Sequence, residues 1–164
     1  MKKILLLFIL ISSVSFGQKK LDKLLNKFNK NNVPYISVDS LSSEKKKAIL
    51  LDARETKEYN VSHLKDAICV GYDHFDVTQT IAKLPTDKNA KIVVYCSLGI
   101  RSEIVADKLI KAGYTNVYNL YGGIFEWKNN NFQVMDTLGN TTEKVHTFNE
   151  DWSKWLTKGE KVYE

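Results

Sequence analysis

The spacing of hydrophobic positions changes several times along the chain, and each change marks an element. In "KKLDKLLNKFNK", Leu21, Leu24, Leu25 and Phe28 recur at helical intervals until "NNVP" breaks the pattern, which predicts an amphipathic lead-in helix within residues 18–34. Short apolar or β-branched runs follow at 35–38, 48–51, 67–70, 92–95 and 117–120, and predict five strands. Between them, Val77, Ile81 and Leu84 ahead of Pro85 have helical spacing. So do Ile104, Val105, Lys108 and Leu109 ahead of Gly113, a natural helix stop. Strand and helix therefore alternate, the pattern of an α/β domain whose sheet is covered by helices on both faces. No repeat, low-complexity segment or glycine-serine linker interrupts 35–135, so these residues form one domain.

Beyond it, "VMDTLGNTTEKVHTF" predicts two short strands around a turn at 138–141. "NEDWSKWLTKGE" predicts a helix capped by Asn149, with Glu150 and Asp151 at its positive end and Trp152, Trp155 and Leu156 as an apolar stripe before Gly159. Residues 136–164 thus read as a hairpin-plus-helix extension that packs back on the domain. The alternative is a docking surface for a protein partner.

The first 17 residues differ from all of this. Lys2 and Lys3 precede the unbroken apolar run from Ile4 to Ile11, and small and polar residues follow up to Gly17, the layout of a signal peptide. Eight apolar residues fall well short of the ~20 that cross a bilayer, so the expectation is cleavage and export, to a periplasm or as a secreted protein, rather than a permanent span. Removing this leader takes away two lysines and no acid, lowering the formal charge from +5 to +3. The remaining lysine clusters lack interleaved aromatics or a groove-reading motif, which argues against nucleic acid as a partner. A hydrophobic content of 43% suffices for one ordinary core. Two cysteines, Cys69 and Cys96, allow at most one disulfide, so no disulfide framework holds the fold. Apolar neighbours make Cys69 a buried strand residue rather than a resolving thiol.

The chemistry concentrates in "VVYCSLGIRSE". Cys96 ends a buried strand, and a short glycine-containing loop leads to a helix with Ser102 as its cap and Glu103 in the first turn. In α/β sheets this carboxyl edge is where ligands bind, and amides entering a helix converge on an anion held there. The same amides favour a thiolate. Gly99 permits the tight turn, and Arg101 offers a permanently charged fork to an oxyanion. The combination suits a nucleophilic sulfur beside an anion, with Ser97, Leu98, Gly99, Ile100, Arg101 and Ser102 as the binding loop. Otherwise Cys96 is simply a small hydrophobe ending a strand.

These residues resemble the rhodanese-like sulfurtransferases, whose active loop often reads C-x-x-G-x-R-S, here "CSLGIRS" from Cys96 to Ser102. Upstream, Asp52, Arg54, Glu58, Tyr59, His63 and Ala67 in "LLDARETKEYNVSHLKDAICV" match the family pattern, with Ser62 and Asp66 where it usually has glycines. Downstream, Gly122, Gly123, Trp127, Phe132 and Val134 match the family ending, with Asn131 and Gln133 in place of its glycine and proline. The resemblance spans 35–135 and implies a five-stranded parallel sheet. It also implies a double displacement in which Cys96 takes sulfur from a donor such as thiosulfate, becomes a persulfide, and passes the sulfur to a thiol or cyanide. By the same resemblance Asp52, Arg54, Glu58 and His63 form a hydrogen-bonded structural group beside the site, and no cofactor is needed. The three histidines, at 63, 74 and 146, have no ligand-like spacing, so no metal site is expected.

Two other classes use related parts. Cysteine-dependent phosphatases place five residues between cysteine and arginine, but here four separate Cys96 from Arg101, and Tyr95 replaces the preceding histidine. The shorter loop suits one extra sulfur better than a tetrahedral phosphate. A catalytically weak binding or sulfur-carrier module is the other alternative, because Leu98 and Ile100 leave Arg101 as the loop's only charge. Those apolar side chains suit an organic persulfide, a thiosulfonate or a protein's sulfur carrier.

Overall fold

A computed structural model describes residues 18–44 and 48–163. The leader at 1–17 lies outside the described residues. The chain divides after Asn31 into two compact units. The first contains a helix over 18–28, α1, as its apolar spacing predicts. The division falls inside the expected lead-in at 18–34, because Val33 already belongs to the core of the second unit.

That second unit is built on a five-stranded parallel sheet. Its strands are β1 (Tyr35–Ile36), β2 (Ile49–Asp52), β3 (Ile68–Cys69), β4 (Ile92–Tyr95) and β5 (Val117–Leu120), in the spatial order β1-β5-β4-β2-β3. β4 and β5 have the bounds that their apolar runs predict. β1 is shorter than expected, since Val38 instead opens a helix, α2 (Val38–Glu44). The intervening helices are α3 (Thr56–Val61), α4 (Val77–Ile81), α5 (Arg101–Lys111) and α6 (Gly123–Asn129). Helices α2, α3 and α6 span six or seven residues and are not read from the apolar spacing of the sequence.

β4 is the middle strand and all four of its residues are buried. Successive side chains alternate between faces. Ile92 and Val94 join a core with Leu51, Val105, Leu109 and Val117. Tyr95 turns to the other face, where its hydroxyl accepts the Leu64 N–H at 3.0 Å. This two-sided burial explains a run with no polar alternation, and it sets Cys96 at the carboxyl end of the best-anchored strand.

Two substitutions of family glycines have a direct backbone counterpart. Asp66 and Asn131 both occupy the left-handed region, at φ 64° and 65°. Asp and Asn are the non-glycine residues that tolerate it best, so the turns survive without glycine. Ser62 is extended and needs no glycine.

The tail forms β6 (Val134–Met135) and β7 (Thr141–Thr142), an antiparallel hairpin whose turn is closed by the Asp136 carboxylate on the amides of Leu138 and Asn140. Then come β8 (Lys144–His146), α7 (Glu150–Ser153) and β9 (Glu160–Val162), with β8 and β9 paired in parallel. Asn149 caps α7 as expected, accepting the Trp152 N–H, but the helix is a single turn. The predicted stripe therefore splits. Leu156 is 1% exposed, whereas Trp152 and Trp155 are half-buried. Asn129 of α6 fastens the segment by donating to the Trp155 carbonyl and accepting the Thr157 and Lys158 amides. Val145 is also fully buried. Leu156→Ala should therefore cost ~2–4 kcal/mol, seen as a lower urea midpoint at unchanged slope. An unchanged midpoint would show that the tail contributes nothing to the fold.

Candidate active site

The loop after β4 is held from two sides. Behind it, Gly122 and Gly123 adopt left-handed angles of 69° and 56° and bring the first amides of α6 onto the loop. Ile124 donates to the Cys96 carbonyl at 2.9 Å and Phe125 to that of Ser97 at 3.2 Å, so helix-end donors that lack partners within α6 are satisfied by the loop. A Cβ on Gly123 would stand 2.2 Å from the Cys96 carbonyl oxygen, so only glycine permits this approach. At the side, buried Asn119 of β5 donates to the Gly99 carbonyl at 2.8 Å and accepts the Ser102 hydroxyl at 2.7 Å. Gly99 turns at φ 106° and its amide donates to Cys96 Sγ at 3.1 Å. Asn119 escaped the sequence reading, although a polar residue inside the apolar run "VYNL" is the signal that marks it.

Ser102 does not cap α5. The helix starts at Arg101, and the Ser102 hydroxyl stands 3.5 Å from Sγ while bonding Asn119. One proton serves both acceptors, and the shorter contact to Asn119 holds it when sulfur carries no charge. Burial, the largest influence, raises the Cys96 pKa, but the Arg101 charge, the Ser102 hydroxyl and the Ser102 and Gly99 amides together outweigh it. The net shift is downward, toward thiolate.

Arg101 is placed differently from expectation. Its two terminal nitrogens donate to the Glu58 carboxylate at 2.6 and 2.7 Å, and one also reaches Ser97 Oγ at 3.1 Å. The fork read as an oxyanion receptor is thus closed on a fully buried carboxylate. Burial opposes ionisation of Glu58, yet the hydrogen bonds and charge of Arg101 hold its pKa below the usual range.

The four residues expected as one structural group separate into three settings. Asp52 and Arg54 form a completely buried pair at 2.7 Å, and Arg54 also donates to the Ser62 carbonyl. Glu58 belongs with Arg101 and Ser97. His63 stacks on Tyr59 at 3.9 Å, and its ring Nδ1 lies 3.1 Å from the Tyr59 carbonyl.

Cys69 is a half-buried free thiol, less enclosed than expected, and burial pushes its pKa up. Cys69 and Tyr95 both pair in register with Asp52, on opposite sides of β2. Two strand spacings, roughly 9.6 Å, separate β3 from β4, beyond the Cα separation a disulfide spans. Cys69 and Cys96 are both free.

Above the loop lies a cavity of about 300 Å³ that reaches Cys96 and Ser97. Leu98, Ile100 and Tyr72 line it, and the tail adds Phe148 and Trp152. Glu55 and Asp73 stand with Arg101 as its charged lining residues. Sequence reasoning missed the tail's part, because nothing local to "TFNEDW" says which loop it will face. Among the described residues there is no cluster of three or more potential metal ligands, and no helix long and apolar enough to cross a membrane.

A parallel five-stranded sheet with a cysteine loop at the end of its middle strand defines a recognisable class, and residues 37–130 match the rhodanese-like domain model. The chain belongs to the rhodanese-like domain family. It is 36% identical over 115 residues to the adenylyltransferase and sulfurtransferase UBA4 of Candida albicans, covering 68% of this chain and 26% of that protein. It is 40% identical over 82 residues to the tRNA uridine(34) hydroxylase of Hamiltonella defensa, covering 49% of this chain and 23% of that one. The chain thus spans about a quarter of the length of these curated relatives. In fold it is similar to the crystal structure of a rhodanese-related protein from Thermoplasma volcanium, with a TM-score of 0.55 at 24% identity over 62% of this chain and 97% of that one.

The lowered Cys96 pKa predicts that alkylation by iodoacetamide persists at pH values where an ordinary thiol, with pKa about 8.5, is largely protonated. Cys69 should label only as pH rises above that value, and peptide mapping across a pH series separates the two. Equal pH profiles would contradict the assigned electrostatics.

Proposed function

We propose that the protein is a sulfurtransferase that carries sulfane sulfur as a persulfide on Cys96. The observation that carries this reading is the Gly99 amide 3.1 Å from a sulfur that lies against a cavity and has a lowered pKa. The Cys96 thiolate attacks the outer sulfur of thiosulfate or a related persulfide donor. A sulfur–sulfur bond forms at Sγ, and with thiosulfate the bond to the sulfonate sulfur breaks and sulfite leaves with the electron pair. A thiol or cyanide then attacks the outer sulfur and restores the thiolate. The Gly99 and Ser102 amides favour the anionic forms, and the Ser102 hydroxyl can turn from Asn119 to sulfur as charge develops there. Asn119 and Glu58 act as positioning residues, one on the loop backbone and one on Arg101.

The Glu58–Arg101 pairing counts against phosphate hydrolysis, which needs that fork for phosphate oxygens. It also favours a second reading, a sulfur-carrier or binding module that turns over small anions slowly and meets a protein partner. The layout of residues 1–17 supports an exported protein, periplasmic or secreted. The intact mass of the protein from its native envelope or medium tests this, since retention of the whole leader would sink it.

In a single turnover with excess thiosulfate, reduced protein should release stoichiometric sulfite and gain the mass of one sulfur, and Cys96→Ala should do neither. Ser102→Ala should slow the step about tenfold, the effect of one hydrogen bond to charged sulfur. No mass gain from thiosulfate or from a polysulfide would refute sulfur transfer.

A further inference from the structure

One wall of the cavity over Cys96 comes from outside the sheet and its crossover helices. Phe148 reaches it from the short stretch joining β8 to α7, and Trp152 from α7 itself. The backbone of this stretch is held by local bonds. The Phe148 amide donates to Nδ1 of buried His146 at 3.1 Å, and the Trp152 amide donates to Asn149 at 3.1 Å. Phe148 keeps a left-handed backbone at φ 67°, uncommon for a bulky residue, and is 47% exposed although it lines the cavity.

Chemistry and charge together define what fits. Both aromatic residues line the same cavity as Leu98 and Ile100, so the space beside the thiol is mainly apolar. Of the three charged lining residues, Arg101 is engaged by the Glu58 carboxylate, Glu55 is a carboxylate held by the Tyr72 and Asp73 amides, and Asp73 adds a second carboxylate. A small dianion enters against like charge, whereas an uncharged ring or alkyl group gains a dry wall.

We propose that the cavity is a subsite for the organic group of a sulfane-sulfur donor, with Phe148 and Trp152 as its specificity-determining contacts. The donor is an organic persulfide, R–S–SH, in which R is an uncharged apolar or aromatic group. The Cys96 thiolate attacks the terminal sulfur, the new bond forms at Sγ, and the R–S to sulfur bond breaks. RS⁻ leaves with the electron pair, and the proton stays on the transferred sulfur. This rests on the sulfur-transfer reading above and adds the class of donor.

Three stable probes test it: thiosulfate, methanethiosulfonate and benzenethiosulfonate. The two thiosulfonates share charge and reacting atoms, lose a sulfinate, and differ in the ring. Persulfide formation on Cys96 is followed by intact mass in the reduced full chain, in Phe148→Ala and in Trp152→Ala, with thermal melting to check folding. The benzene donor should react at least about tenfold faster than the methane donor, and thiosulfate slowest, as expected for burying a ring and relieving a charge. Either variant should bring the benzene-to-methane ratio within about threefold of one. Phe148→Ala decides the matter if Trp152→Ala fails to fold, because the Phe148 ring is half exposed.

A wild-type ratio near one, a ratio that Phe148→Ala leaves intact, or thiosulfate as the fastest donor would overturn the subsite while sulfur transfer stands. Folded protein that gains no sulfur from any probe or from a polysulfide would overturn both.

Discussion

The contact on which the site depends is the docking of α6 against the backs of Cys96 and Ser97. Two left-handed glycines in succession let the Ile124 and Phe125 amides reach the loop carbonyls, at a distance that no Cβ on Gly123 allows. With those carbonyls turned backward, the loop folds over Sγ and the Gly99 amide faces sulfur. Asn119 fixes the same turn from the neighbouring strand. Thiol position is therefore set by two elements that follow the cysteine in sequence, and both act on the loop's backbone.

The electrostatics have a second layer. A carboxylate as enclosed as Glu58 is tolerated because Arg101 meets it with two parallel hydrogen bonds. The pair has no net charge, yet the two ends differ in what they approach. The guanidinium lies close enough to sulfur to help lower its pKa, so Arg101 serves the thiolate while committed to Glu58. Removing Glu58 would take the carboxylate partner from the fork and leave the cation half-buried.

The backbone plan was legible wherever burial is uniform. "IVVY" became a strand with the expected limits because a strand buried on both faces has no polar register to confuse it, and the 117–120 run did so although it carries Asn119. The cysteine loop was legible because cysteine, glycine, arginine and a helix start are compressed into a few residues. Helices α2 and α3 escaped the reading, since each buries only one or two side chains and leaves little apolar period. Arg101 could not be assigned a partner from the sequence, since Glu58 is 43 residues away and arrives only through the sheet. Ser102 looked like a cap by its position, and the Asn119 side chain captured it instead. Phe148 and Trp152 were read as part of an extension, because only the tertiary fold brings them to the cavity that Leu98 and Ile100 also line.

The origin of that aromatic wall separates two properties that many active sites must change together. The thiol is held by β4, its loop and α6, through backbone contacts that a substitution at Gly123 would break. The aromatic wall comes instead from the connection after β8 and the single-turn α7, where side chains can vary with little effect on the thiol. Changes in the tail would therefore reshape the cavity wall while leaving the loop that holds Cys96 untouched.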